Sequence, residues 1–265
     1  MNDVAILIAA YGTTAANARE GYGALAREIA AAFPGIPIAW SFTSAKVREK
    51  VACAGSPAAS PAEALAALRT SGVRRVAVQS LHVIPGQEFA GTVAACREMQ
   101  GGPDPFTAVE IGGPLLDTPE DVAAAAAALP GFLPAERAPD EAVVLVGHGS
   151  EAGGDAQYAG FLARARATDP LVRLGLLTGG PGPGELAGEL RAEGVSRVWL
   201  LPFMCVPGFH AREDVAGTAP ASWRSVFKSH GLHVRALTLG ASGHPGFRAL
   251  WLGHLRAAIE RLARA

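Results

Sequence analysis

The sequence predicts an α/β protein of two similar lobes, each with a central parallel sheet flanked by helices, and a cleft between the lobes. Three observations predict this. Apolar runs of strand length alternate with helical segments along the chain, as βαβ units require. The runs are continuously apolar, which suits parallel strands covered on both faces. The chain also repeats itself. Residues 68–76 (LRTSGVRRV) echo residues 190–198 (LRAEGVSRV) at an offset of 122.

The elements follow in order. Residues 4–10 (VAILIAA) read as a first strand, 15–33 as a helix and 36–42 as a second strand. Ser60-Pro61-Ala62-Glu63 supplies a cap, a first-turn proline and a third-position carboxylate for a helix over 61–71, which Gly72 ends. A strand over 75–82, a helix over 88–99 and a strand over 108–112 come next. Thr118-Pro119-Glu120 opens a helix over 119–129. The Pro/Gly/Ala-rich stretch 129–140 reads as the boundary between a lobe of residues 1–130 and a second of 140–244. The second half repeats the scheme with strands over 142–147, 172–177, 197–205 and 234–239, and helices over 155–168, 184–194 and 222–230. A final helix, 245–265, has an amphipathic pattern that suits packing back onto the first lobe.

The repeat also places the chemistry. Residues 6–13 (ILIAAYGT) echo 143–150 (VVLVGHGS), so Tyr11 is the counterpart of His148. Ile84-Pro85-Gly86-Gln87-Glu88 falls on Val206-Pro207-Gly208-Phe209-His210, so Glu88 is the counterpart of His210. Both histidines follow a strand at its carboxyl end, where open parallel sheets bind ligands. Two neutral imidazoles converging there suit a divalent transition metal. The bland reading of each is a loop or cap histidine. Glu88 starts a helix, where a carboxylate also serves simple helix electrostatics; across the cleft it would serve as a proton acceptor or outer ligand. His82 reads as a core or cleft-wall residue within its strand. His230, His233, His244 and His254 read as solvent-facing or loop residues, and His210 as the start of a helix over 210–214.

Composition excludes other classes. The net charge of −1 and scattered basic residues argue against nucleic acid and against a membrane surface. No run approaches the roughly 20 apolar residues of a membrane span. Met1-Asn2-Asp3 carries no basic region ahead of a short apolar run, so a cytoplasmic location is expected. Cys53, Cys96 and Cys205 are odd in number with no CxxC pair, which fits reduced thiols. The run Gly179-Gly180-Pro181-Gly182-Pro183-Gly184 lacks the Gly-Lys-Ser/Thr of a phosphate loop, so no nucleotide is expected.

Taken together, Tyr11-Gly12-Thr13, Phe42-Thr43-Ser44, Gln79 to Ile84 with Gly86 and Glu88, Pro114-Leu115-Leu116, Gly147-His148-Gly149 and Gly208 with His210-Ala211 resemble the class II tetrapyrrole chelatases. The likeness is greatest to the anaerobic chelatases that insert Co2+ into sirohydrochlorin. It implies a lyase of cobalamin and tetrapyrrole biosynthesis in which His148 and His210 hold the metal and Glu88 assists. It implies tetrapyrrole contacts from Tyr11, Thr13, Thr43, Ser44, His82, Ser150 and Thr178. Thr178 stands where larger members often carry Glu, a departure that weakens the metal site on that side.

The implied substrate is a flat macrocycle, sirohydrochlorin or precorrin-2, with an anionic rim and two pyrrole protons. Ser41, Lys46, Arg48 and Arg212 are further rim candidates. Co2+ is the substrate metal expected. Fe2+ insertion in siroheme formation is the alternative, because the donor set does not separate the two ions. A non-catalytic tetrapyrrole or metal carrier is the reading from another class. A two-lobed solute receptor is disfavoured by the missing secretion signal. The sequence is compatible with a homo-oligomer and does not fix the oligomeric state.

Overall fold

The computed structural model describes residues 3–102, 104–151 and 153–264. Among these residues lie two four-stranded, wholly parallel sheets. The first holds β1 (Val4–Ala10), β2 (Ile38–Phe42), β3 (Arg75–Ser80) and β4 (Ala108–Gly112) in the order β2-β1-β3-β4. The second holds β5 (Ala142–Gly147), β6 (Val172–Leu176), β7 (Arg197–Pro202) and β8 (His233–Ala236) in the matching order β6-β5-β7-β8. In each sheet the chain reverses its direction of travel between the first and third strands. The crevice beyond their carboxyl ends is the topological switch point, where ligands bind in open sheets of this kind.

The helices are α1 (Ala16–Ala32), α2 (Ala45–Cys53), α3 (Pro61–Thr70), α4 (Gln87–Gly101), α5 (Pro119–Ala128), α6 (Asp155–Thr168), α7 (Pro183–Ala192), α8 (Trp223–Ser229) and α9 (Pro245–Leu262). Ser60 and Thr118 form capping boxes with Glu63 and Asp121, and a proline follows each cap. The Gly-rich run 179–184 joins β6 to α7.

The inner strands β1, β3, β5 and β7 are buried along nearly their whole length, and for this reason they read as largely apolar runs, whereas the edge strand β8 is partly exposed. Leu7, Val76 and Val78 pack outward beneath Leu65 of α3 and Cys96 of α4. Val144 and Leu200 pack outward beneath Leu186 of α7 and Trp223 and Phe227 of α8. The inner faces share one cluster. Ile6, Ile8 and Ala77 of the first sheet join Val143, Leu145, Trp199 and Leu201 of the second through Leu25, Phe161, Phe247 and Trp251.

Helix α9 follows β8 but lies on β3 and β4. Arg261 fixes it to Glu110 and to the Ile111 carbonyl, at 2.5 and 2.8 Å. His254, expected at the surface, is half-buried here. Its ring bonds the Gly113 carbonyl at 3.0 Å and Asp121 at 2.8 Å. His244 is likewise packed, against Phe132 and Phe247. His230 and His233 are exposed as expected.

Other expectations are corrected. The expected strand over 75–82 stops at Ser80, because the Ser80 hydroxyl takes the His82 amide at 3.3 Å and turns the chain. His82 therefore lies beyond the strand. The expected strand over 197–205 stops at Pro202, whose ring nitrogen has no proton for the ladder. A strand starts at Ile38 rather than residue 36. Helix α2 was not expected, and the segment after His210 is one π-helical turn, Ala211–Val215.

Candidate active site

His148 is delivered by the end of β5. Gly149 follows it at φ +77, and a Cβ there would stand 1.9 Å from the Thr178 carbonyl oxygen, so only glycine fits. The Thr178 amide donates to the His148 carbonyl at 3.1 Å, which ties the two loops together. His210 arrives from the loop after β7 and begins the π-helical turn. Its Nδ1 meets the Asp214 carboxylate at 2.5 Å. The two imidazole rings lie 5.1 Å apart at an interplanar angle of 76°.

Both Nδ1 atoms are engaged, that of His148 with its own Gly149 carbonyl at 3.2 Å. A carboxylate on Nδ1 selects the tautomer that presents Nε2 as an acceptor. The His148 pKa is held below the usual imidazole value, chiefly by burial, and His210 beside it pushes in the same direction. The Gly149 carbonyl, Glu88 and Asp214 pull it back up. The ring is exposed at the cleft despite its desolvated inner side.

The first lobe faces this pair with the repeat counterparts. The Tyr11 ring is 5.7 Å from the His148 ring. Glu88 sits in the first turn of α4, near enough for its charge to act on His148. The Ser150 hydroxyl accepts from the Gln87 amide at 3.2 Å, so the second lobe caps a helix of the first. A Cβ on Gly86 would lie 2.9 Å from Ser150, and one on Gly208 would lie 3.4 Å from the Thr13 hydroxyl. These are the same contact made twice, once from each lobe.

The remaining expected residues divide by environment. Thr43 bonds His82 Nε2 at 3.2 Å, and Ser80 bonds its Nδ1 at 2.8 Å. Burial pushes the His82 pKa down to about 4. Thr13 is buried with its hydroxyl on the Ala15 amide, and Ser44 is buried as the cap of α2. Ser41, a rim candidate, is also buried and donates to the Ile8 carbonyl. Arg48 donates to the Phe42 and Thr43 carbonyls at 2.7 Å each, which braces the loop after β2. Lys46 and Arg212 are exposed.

Asp214 is the residue that sequence reasoning missed. Its signal is the His-x-x-x-Asp spacing, which places both side chains on one helical face. Among the described residues, no three His, Cys, Asp or Glu side chains are grouped to hold a metal. The two imidazoles stand side by side, 5.1 Å apart, with Asp214 on one of them. Two other concavities lie elsewhere, one of about 360 Å³ beside Leu129 and Arg137, the other of about 800 Å³ beside Trp199 and Arg235. Among the described residues no helix is long and apolar enough to cross a membrane.

The fold is that of chelatases. SirB from Bacillus subtilis, solved with Fe3+, superposes with a TM-score of 0.62 at 18% identity, over 96% of this chain and 95% of that one. SirB from Bacillus subtilis subspecies spizizenii, solved with cobalt, gives 0.62 at 16% identity, over 97% and 95%. A two-lobed α/β fold shared with these chelatases is thus what the architecture defines. The chain belongs to the cobalt chelatase (CbiK) family, whose description matches residues 4–260. It is 38% identical to the sirohydrochlorin cobaltochelatase CbiKC of Nitratidesulfovibrio vulgaris strain Hildenborough, across 99% of this chain and 93% of that protein. It is 33% identical to the sirohydrochlorin cobaltochelatase of Salmonella typhimurium strain LT2, across 97% and 96%.

Proposed function

We propose that this protein inserts Co2+ into sirohydrochlorin without a nucleotide, in the cleft between lobes of residues 1–130 and 140–244. The observation that carries the reading is the pair of imidazoles 5.1 Å apart where the switch points of two sheets face each other. His148 and His210 receive Co2+ through Nε2 as neutral rings, with Asp214 orienting His210. Two donors hold a divalent ion without enclosing it, which suits a metal that must leave for the macrocycle.

The macrocycle gives up two pyrrole protons as the dication enters, so the net charge transferred is balanced. Imidazole and carboxylate are the bases at hand, and Glu88 accepts from the first-lobe side. Tyr11, Ser150 and Thr178 border the imidazoles and meet the tetrapyrrole. Thr43 and His82 line the first-lobe wall, while Thr13 and Ser44 shape the rim by pinning its loops.

The test is anaerobic mixing with sirohydrochlorin, followed by Co2+ or Fe2+ while the absorption spectrum is recorded. Metallation faster than the protein-free control, with Co2+ ahead, supports the reading. Binding without acceleration moves the protein to the carrier class, and a faster reaction with Fe2+ moves it to siroheme formation.

A further inference from the structure

We infer that Phe209 and Lys50 form a two-part docking element for the tetrapyrrole, the ring taking a pyrrole face and the ammonium a rim carboxylate. The inference rests on the reading of the cleft as a tetrapyrrole site.

Phe209 is 52% exposed although it is large and apolar. It adjoins His210, and its ring stands edge-on to that imidazole at 5.8 Å and 85°. It is not bare, because Lys50 of the opposite lobe places its ammonium 5.4 Å from the ring centroid. An aromatic face is thus presented beside the imidazole pair, with the exposed Lys50 ammonium over it. A flat conjugated ligand has the same π surface to offer, and stacking would replace the cation.

The charge on α2 points the same way. Lys46 and Lys50 are four residues apart, both exposed, and so share one helical face. Like charges at that spacing repel. Arg48 between them is tied to the Phe42 and Thr43 carbonyls, which adds a fixed positive group to the cleft edge. Glu49 on the same helix is exposed as well, so α2 sets three cations against one carboxylate, and a polycarboxylate is the class of ligand that relieves the repulsion of Lys46 and Lys50. Lys50 displaced from Phe209 needs only to swing its stem to meet a carboxylate of the ring that displaced it.

The experiment titrates metal-free sirohydrochlorin into wild type, Phe209→Ala, Phe209→Tyr and Lys50→Met, then measures kcat and KM with Co2+. Loss of an exposed stacking contact should raise the tetrapyrrole Kd and KM about tenfold in Phe209→Ala, with kcat held. Phe209→Tyr should restore binding. Lys50→Met should raise Kd by about threefold and flatten its dependence on salt. Binding of Co2+ alone should be unchanged in all three. Wild-type tetrapyrrole affinity in both Phe209→Ala and Lys50→Met overturns the inference and leaves the chelatase reading standing. A fall in kcat with KM unchanged also overturns it. No tetrapyrrole binding by wild type overturns both.

Discussion

The ring of Tyr11 lies 5.7 Å from that of His148, so the two residues that hold the same place in the repeat meet across the cleft. The Gly86–Ser150 and Gly208–Thr13 approaches carry the same relationship outward. The lobes are therefore joined about an approximate two-fold axis, and the chemistry is unequal across it. Both imidazoles come from the second lobe, while the first supplies a phenol and a carboxylate.

Replacing either imidazole should remove insertion without unfolding the chain. His148→Ala and His210→Ala should each lower kcat/KM by about 10²-fold or more. Thermal midpoints should stay near wild type, because neither side chain is in the core. Stopped-flow absorbance beside a melting curve checks both, and near-normal turnover in His148→Ala would sink the metal-pair scheme.

Asp214→Asn should act through His210. Losing the carboxylate on Nδ1 removes the group that fixes the ring's tautomer and orientation. Changes of this kind cost about 10- to 100-fold in metal affinity or activity. Isothermal titration with Co2+ should find weaker binding in Asp214→Asn, with tetrapyrrole affinity unaltered.

The activity should fall on acidification, with a midpoint below 6.5. The His148 pKa is depressed, so at neutral pH the ring is unprotonated and can bind metal or take a proton. At His148, protons compete with the metal as the pH drops through that lowered value. A kcat/KM profile whose acid limb lies above 6.5 would contradict this.

Stability should also decline in acid because of His82. Its folded pKa is about 4 against an ordinary value of 6.5, so the unfolded chain takes up a proton that the native state refuses. The neutral ring's full contribution is present above about pH 6.5 and is lost progressively down to about 4. The shift corresponds to something on the order of 3 kcal/mol. Urea denaturation at pH 7 and 4.5 should show a larger difference for wild type than for His82→Gln.

Gly86→Ala and Gly208→Ala should differ although they are counterparts. Neither backbone needs a positive φ, so the effect is steric. At Gly86 the new methyl meets Ser150 at 2.9 Å and forces the lobes to shift, whereas at Gly208 it meets Thr13 at 3.4 Å. The first should lower activity about tenfold or more through displaced groups, and the second should be nearly silent. A much smaller loss when Gly86→Ala is added to Ser150→Gly than when it is added to wild type would tie the effect to that one contact.

What was legible in the chain was whatever the repeat and the apolar runs encode. β1, β4 and β5 fall on the predicted residues; β1 and β5 are buried on both faces, and β4, with Glu110 and Ile111 half-buried, is bounded by Gly112 and Gly113. The nearness of His148, His210 and Glu88 to one another was legible because the repeat set them in register at strand ends, and the structure places the two rings 5.1 Å apart with Glu88 within electrostatic reach of His148. Helix α2 was not, because Val51 is its one fully buried residue and no apolar stripe announces it. Asp214 was passed over because its role depends on a π-helical turn that carries no hydrophobic pattern. His254 was misjudged because its partners, Gly113 and Asp121, lie more than 130 residues away in sequence.

The apolar cluster that joins the inner faces of the two sheets bears on how the molecule comes apart. Ile6 and Ile8 share neighbours with Leu145 and Leu201, and Trp251 from the end of the chain lies among them. A seam this apolar resists the independent hinge motion of loosely linked domains. Neither half has a complete core without the other. Melting should be a single cooperative event, and the cleft should admit its guest by rearranging surface loops rather than by swinging the halves open.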